Sequence, residues 1–226
     1  MSAPAHTLSA ELESAKLRIT EIFYSLQGET RFVGLPTVFI RLTGCPLRCQ
    51  YCDTAYAFYG GQTVPLDEVL AKVETYATKH VTVTGGEPLA QKTCLVLLTR
   101  LCDANYQVSL ETGGALDISG VDSRVCKVVD LKTPGSGEAA KNRYENLDYL
   151  TERDQIKFVI CDRADYNWAK TKLTEFKLPD RCEVLFSPSY TQLPAGQLAD
   201  WILADQLPVR LQIQLHKFLW GDIPGR

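Results

Sequence analysis

No apolar run in this chain of 226 residues is long enough to cross a bilayer. The first 17 residues lack the apolar stretch of a secretory signal and carry Glu11 and Glu13, so the expected compartment is the cytoplasm. Basic charge is not in excess. A net charge of -3 leaves no electrostatic footprint for nucleic acid or for an anionic membrane surface. Internal repeats and Gly/Ser-rich linkers are absent as well, and the length suits one domain, expected over residues 18–226 behind a mobile arm at 1–17. Hydrophobic content of 45% and charged content of 23% are those of an ordinary globular protein.

Cysteine is what the chain has in quantity, with eight residues. A chain of this size needs no disulfides to hold a core. Cys94, Cys102, Cys126, Cys161 and Cys182 are scattered through apolar helical or strand patterns and read as small buried hydrophobes. Cys45, Cys49 and Cys52 differ. They form C-x3-C-x2-C in a short loop after the apolar run at 37–42, and three thiolates in one loop can face a single point. Closed zinc sites and simple iron–sulfur proteins use four protein ligands. Either a fourth ligand lies elsewhere, or one position is left for a ligand that is not protein.

Strand and helix patterns alternate. Strands are predicted at 18–26, 37–42, 81–83, 106–110, 125–131, 155–160, 183–186 and 209–215, and helices at 65–79, 91–104, 140–150, 165–176 and 196–206. Such alternation predicts an α/β fold, a partial (open) β/α barrel with about six or seven mostly parallel strands. Parallel strands bring their carboxyl ends to one edge. That edge would gather the cysteine loop, Thr84-Gly85-Gly86-Glu87-Pro88, Glu111-Thr112-Gly113-Gly114, residues 130–135, Ser187-Pro188-Ser189-Tyr190 and His216-Lys217.

The chemistry of these segments suits a bound small molecule. Gly85 and Gly86 let backbone approach a ligand, with the Glu87 carboxylate beside them, although the string alone is also a plain turn. Glu111 can accept from hydroxyls or sit in a salt bridge. Lys132 can meet a carboxylate or extend from the rim, and Ser187 to Tyr190 can touch a ligand or merely close a strand. Upstream, Gln27 offers donors and acceptors, Glu29 can accept from a cyclic amidine, and Arg41 can grip a carboxylate through two nitrogens. Together they could read a pterin edge bearing an acid group.

A C-x3-C-x2-C loop after an early strand, followed by Gly-Gly-Glu-Pro, resembles the radical S-adenosylmethionine enzymes. Ser25-Leu26-Gln27-Gly28-Glu29, Gly34-Leu35-Pro36, Phe39-Ile40-Arg41-Leu42 and Cys52-Asp53-Thr54 are similar to the 7-carboxy-7-deazaguanine synthases among them, and the likeness runs from Ile19 to the end. The resemblance implies a carbon–nitrogen lyase of queuosine and deazapurine biosynthesis. It would convert 6-carboxy-5,6,7,8-tetrahydropterin into 7-carboxy-7-deazaguanine with loss of ammonia. It also implies a [4Fe-4S] cluster on Cys45, Cys49 and Cys52, and Mg2+ on Thr54. S-adenosylmethionine would lie against Tyr51, Cys52, Asp53, Gly85, Gly86, Glu87, Glu111, Lys132, Ser187, Pro188, Ser189 and Tyr190. The pterin would touch Leu26, Gln27, Gly28, Glu29, Arg41, Thr84 and the terminal Arg226. A homodimer and a flavodoxin- or ferredoxin-type reductant belong to the same expectation. The sequence departs from the family's pattern at Thr30, where many members have Gly, and at Glu-Thr-Gly-Gly, where Glu-Thr-Asn-Gly is commoner. Two rivals share the cysteines: a glycyl-radical activase and a zinc-stabilised binding module without catalysis. The activase does not require the set from Gln27 to Arg41, and a binding module needs no Gly-Gly-Glu-Pro behind its zinc site.

Overall fold

The structure, a computed structural model, describes residues 15–225. Strand β1 (Lys16–Leu26) pairs antiparallel with β2 (Pro36–Leu42) on one side and with β3 (Gln62–Pro65) on the other. Strands β4 (His80–Gly85), β5 (Gln107–Thr112), β6 (Cys126–Asp130), β7 (Gln155–Ile160), β8 (Glu183–Pro188) and β9 (Arg210–Leu211) then add in parallel to β2. The sheet order is β3-β1-β2-β4-β5-β6-β7-β8-β9. β3 and β9 stand at its two ends, so the sheet is open and the parallel set has seven strands.

Helices α1 (Leu66–Glu74), α2 (Thr93–Asp103), α3 (Arg163–Glu175) and α4 (Ala195–Ala204) alternate with the strands, and α5 (Leu215–Trp220) is the last element among the described residues. Local signals set their starts: α1 carries Asp67 and Glu68 in its first turn, and the Asp162 carboxylate accepts from the Asp165 amide at the head of α3.

Side chains alternate across each strand, and here the two faces differ in chemistry. Val81, Val83, Val108, Leu110, Ile156 and Phe158 turn into an apolar core with Leu97, Leu101, Ala169 and Leu198 from the helices. Thr84, Glu111, Asp130, Lys157 and Ser187, on the opposite face, line a cavity. A polar inner face is what distinguishes a half-barrel that holds a ligand from one filled by its own side chains.

Three expectations are corrected. The strand expected at 209–215 shrinks to Arg210–Leu211, so His216 and Lys217 lie on α5 rather than after a strand. The helix expected at 140–150 breaks into two 3-10 segments, Ala139–Lys141 and Tyr144–Tyr149. Between them Asn142 bonds both the amide and the carbonyl of Lys132, each at 2.8 Å, and pulls the chain out of helical register. Sequence patterning also passed over β3. As for the arm, residues 1–14 lie outside the described residues, while Lys16 and Leu17 belong to β1. Cys94, Cys102, Cys126 and Cys182 are buried as expected, and Cys161 is partly buried.

Thr30 stands with φ at 66°, in the left-handed region that a β-branched residue adopts at a cost of roughly 1–2 kcal/mol. Thr30→Gly is therefore expected to stabilise the fold by about 1 kcal/mol, a rise in Tm of about 2–4 °C for a chain of this size. Thermal unfolding followed by circular dichroism checks it; an unchanged or lower Tm would show that the buried Thr30 methyl matters more than the backbone strain.

Candidate active site

The cysteine loop is tied down on several sides before any ligand is considered. The Gly44 amide donates to Ala57, the Gln50 amide to Ser136 and the Arg48 amide to the Glu138 carboxylate. The Arg48 guanidinium lies 4.3 Å from the Phe58 ring centre. The Gly-Gly-Glu loop is bonded onto it: the Gly86 amide donates to Leu42 and the Glu87 amide to the Gly44 carbonyl at 2.7 Å. A Cβ on Gly86 would run into that same carbonyl group and approach the Cys45 Cβ to 2.9 Å. Only a glycine lets the two loops touch.

Cys45, Cys49 and Cys52 all line one cavity of about 460 Å3. Among the described residues, no three His, Cys, Asp or Glu side chains converge closely enough for a single metal ion. Three thiols suit a multi-iron cluster with one open coordination position better than a closed zinc site, which takes four protein ligands. Burial raises all three thiols, Cys49 to about 11, so they are protonated near neutral pH until a metal displaces the proton.

Gly85 and Gly86 line the same cavity, and so do Tyr51, Asp53 and Thr54. Glu87 is placed differently from the expectation. It is fully buried beneath the wall, where its carboxylate accepts from the Gly113 amide at 2.7 Å, the Leu89 amide at 3.1 Å and the Thr112 hydroxyl at 2.9 Å. Burial still pushes this carboxyl above its ordinary range, despite those donors. Its position joins the loops after β4 and β5. Lys132 is buried against Asp130 at 2.9 Å rather than extended from the rim, and its Nζ sits 5.9 Å from the Tyr51 ring centre. The second Asp130 oxygen, Oδ1, is buried without a hydrogen-bond partner, an orphan acceptor in the cavity wall that suits a bound hydroxyl or ammonium. Ser187, Pro188, Ser189 and Tyr190 line the far side.

Leu26, Gln27, Gly28, Glu29, Arg41, Thr84 and Glu111 line the end next to β1 and β2. Gln27 donates to Thr82 at 3.0 Å and to Glu111 at 3.3 Å, and its oxygen accepts from the Glu29 amide. Arg41 donates through Nε to Glu21 at 2.6 Å, which Tyr56 also reaches at 2.8 Å. That pairing orients the guanidinium by its inner nitrogen. Burial raises the Glu111 carboxyl, and the nearby Glu29 charge adds to the effect. Arg226 lies outside the described residues.

Several cavity residues escaped the sequence reading. Lys157 projects from the middle of β7, 2.8 Å from Glu29 and 3.8 Å from Asp130. Burial works against its charge, but Glu29, Asp130 and Glu111 outweigh it and hold the ammonium protonated. Burial raises Glu29 too, yet Lys157, with a hydrogen bond from Gln214, brings it below the usual carboxylate range. A lysine set among the apolar Ile156, Phe158, Val159 and Ile160 of a parallel strand was the available signal. Gln214, the residue before α5, was also missed, whereas His216 and Lys217, expected at this edge, reach the cavity from α5, Lys217 lying 2.8 Å from Asp53. Burial disfavours the Asp53 charge, and Lys217 and Gln214 more than restore it, so its pKa falls well below normal.

Residues 39–132 match the Radical SAM superfamily. The chain is 44% identical over 210 residues to the 7-carboxy-7-deazaguanine synthase of Chlorobaculum tepidum, covering 92% of this chain and 96% of that protein. It is likewise 44% identical to the enzyme of that name from Koribacter versatilis, over 90% and 97% of the two chains. The crystal structure of QueE from Escherichia coli superposes with a TM-score of 0.75 at 23% identity, covering 92% of this chain and 98% of that one, and so shares the fold. Taken with a three-thiol loop beside a glycine cradle in an open half-barrel, these likenesses place the chain in the 7-carboxy-7-deazaguanine synthase family, enzymes of the radical S-adenosylmethionine kind that use an iron–sulfur cluster and S-adenosylmethionine.

Proposed function

We propose that this cavity takes up 6-carboxy-5,6,7,8-tetrahydropterin and converts it to 7-carboxy-7-deazaguanine with loss of ammonia. The observation that carries the reading is that one cavity is lined by Gln27, Glu29, Glu111, Arg41 and Lys157 together with the three thiols. Glu29, kept ionised by Lys157, accepts from the amidine edge of the pterin. Gln27, fixed between Thr82 and Glu111, holds that edge in register, and Arg41 takes the carboxylate.

Cys45, Cys49 and Cys52 would hold the cluster. Gly85, Gly86, Tyr51, Asp53, Glu111, Lys132 and the Ser187 to Tyr190 segment would border S-adenosylmethionine, with Glu87 acting from below by fixing Gly113. Bound together, cluster and S-adenosylmethionine supply a carbon radical able to take hydrogen from an unactivated C–H bond. The protein's part is position and exclusion of water. For Mg2+, the support is Thr54, whose hydroxyl proton goes to Asp53 at 2.9 Å and leaves the oxygen lone pairs available to a hard cation with waters. The homodimer is supported by exposed apolar side chains, Phe218 at 78% and Leu203 at 74%. A small flavodoxin- or ferredoxin-type protein as reductant, a cytoplasmic site of action and a single catalytic domain over 18–226 complete the reading; no helix among the described residues is long and apolar enough to cross a membrane.

Arg41→Ala tests it. The variant is expected to retain its iron and to bind the carboxypterin about 10- to 100-fold more weakly, the loss of a charged hydrogen-bonded contact of about 1.5–3 kcal/mol. Tetrahydropterin without the carboxylate should bind wild type and variant alike. Equal affinity of the carboxypterin for both proteins would remove Arg41 from the site.

A further inference from the structure

Gln214 stands where two loops come closest. It is the residue before α5, and its side-chain nitrogen donates to Glu29 Oε1 at 3.0 Å and to Asp53 Oδ2 at 3.1 Å. Glu29 belongs to the segment that faces the pterin end, and Asp53 follows Cys52 directly. The second Asp53 oxygen accepts from the Thr54 hydroxyl at 2.9 Å. One amide therefore joins the substrate segment to the cysteine loop.

Its backbone leaves it little freedom to serve each partner independently. The Leu215 amide donates to the Gly28 carbonyl at 2.9 Å. The His216 ring covers Gly28 so closely that a Cβ there would lie 2.9 Å from its Cγ and nearer still to Nδ1. The start of α5 thus rides on the Gly28–Glu29 backbone. Lys217 also reaches Asp53, at 2.8 Å, whereas Gln214 spans both Asp53 and Glu29. If Glu29 turns to meet a ligand, Gln214 must follow it or drop one bond, and either movement alters what holds Asp53.

We infer that Gln214 is a positioning residue that couples occupancy of the pterin end to the geometry of the cysteine loop, and so to affinity for S-adenosylmethionine. The inference rests on the functional reading above and goes beyond it, because it assigns the coupling to one side chain. Coupling of this kind is reciprocal between the two ligands.

The test is a binding cycle on cluster-loaded protein without reductant, so that nothing turns over. S-adenosylmethionine affinity is measured by equilibrium dialysis with and without saturating carboxypterin. Wild type should bind it at least about fivefold more tightly when the pterin is present. In Gln214→Leu that ratio should fall to about one, with iron content unchanged. Gln214→Glu keeps the shape, removes both donors and sets a third carboxylate against two; its ratio should also be lost. A second readout needs no cluster. In the cluster-free protein, the pterin should slow amide hydrogen exchange in residues 45–54 of wild type but not of Gln214→Leu. A wild-type ratio retained in both variants, or a wild-type ratio of one, overturns the inference. Failure of wild type to bind the pterin at all overturns instead the functional reading on which it rests.

Discussion

Lys157→Met is expected to cut turnover by about a hundredfold or more and to cost about 3–5 kcal/mol of stability. The lysine is 13% exposed and holds Glu29 at 2.8 Å, while Asp130 lies 3.8 Å away. Methionine fills similar space but leaves Glu29 without its cation, while Asp130 keeps Lys132 at 2.9 Å, and removing one partner of a buried pair strands the other charge. The effect should depend on pH in a definite direction. In wild type the Glu29 pKa is lowered in the fold, so its contribution is present above the unfolded carboxyl pKa and is lost only in acid. Without Lys157, burial, the largest influence on Glu29, is opposed only by the Gln214 hydrogen bond and the His216 charge, and the folded pKa is expected to rise above the unfolded value. The variant's stability is then fullest in acid and falls as pH rises through that value. The deficit relative to wild type should therefore be larger at pH 8 than at pH 5.5, as read from urea unfolding at both. A deficit independent of pH would mean that Glu29 is not the group that Lys157 supports.

Gly86→Ala is expected to remove the cluster. The added Cβ meets the Gly44 carbonyl carbon at 2.7 Å and the Cys45 Cβ at 2.9 Å, and these are atoms of the loop itself rather than the end of a flexible side chain. To admit the methyl, the cysteine loop must separate from the Gly-Gly-Glu loop, breaking the bond from the Glu87 amide to Gly44. Anaerobically reconstituted wild type should carry about four irons, with an absorbance that dithionite bleaches. The variant should carry less than one and should unfold at lower denaturant concentration. Gly196→Ala is the control: it lies within α4, nothing stands within 4 Å of its added methyl, and a helical Gly→Ala change should add a few tenths to about 1 kcal/mol. A Gly86→Ala protein with a full iron complement would show that the two loops need not touch. Zinc in place of iron in wild type would overturn the cluster assignment.

Much of the site was legible because it hangs from strand ends, and strand ends are marked by abrupt changes from apolar to polar residues. Cys45, Gly85, Glu111 and Ser187 are all read this way, and all line the cavity. Lys157 was not, because it lies inside β7, where attention to the strand's end passes over it; only the alternation of Gln155, Lys157 and Val159 against Ile156, Phe158 and Ile160 marks the inner face. Residues 209–215 misled for the opposite reason. Val209, Leu211, Ile213 and Leu215 alternate with polar residues as a strand does, but pairing with β8 stops at Leu211. The chain then turns to place Gln214 and Lys217 on Asp53, a long-range requirement that no local pattern carries. Glu87 shows a third case. Its motif was visible, yet its carboxylate faces Gly113 and Thr112, so the residue type located the loop without fixing what the side chain does.

The most direct measurement is to incubate the reduced, iron-loaded protein with S-adenosylmethionine and 6-carboxy-5,6,7,8-tetrahydropterin and to follow the products by mass spectrometry, with ammonia assayed alongside. The expected result is 7-carboxy-7-deazaguanine and ammonia in equal amounts, formed only when the reductant and S-adenosylmethionine are both present and strongly reduced in Lys157→Met. A protein holding about four irons and cleaving S-adenosylmethionine, yet forming no deazaguanine from this pterin, would contradict the assignment of Gln27, Glu29, Arg41 and Lys157 to that substrate.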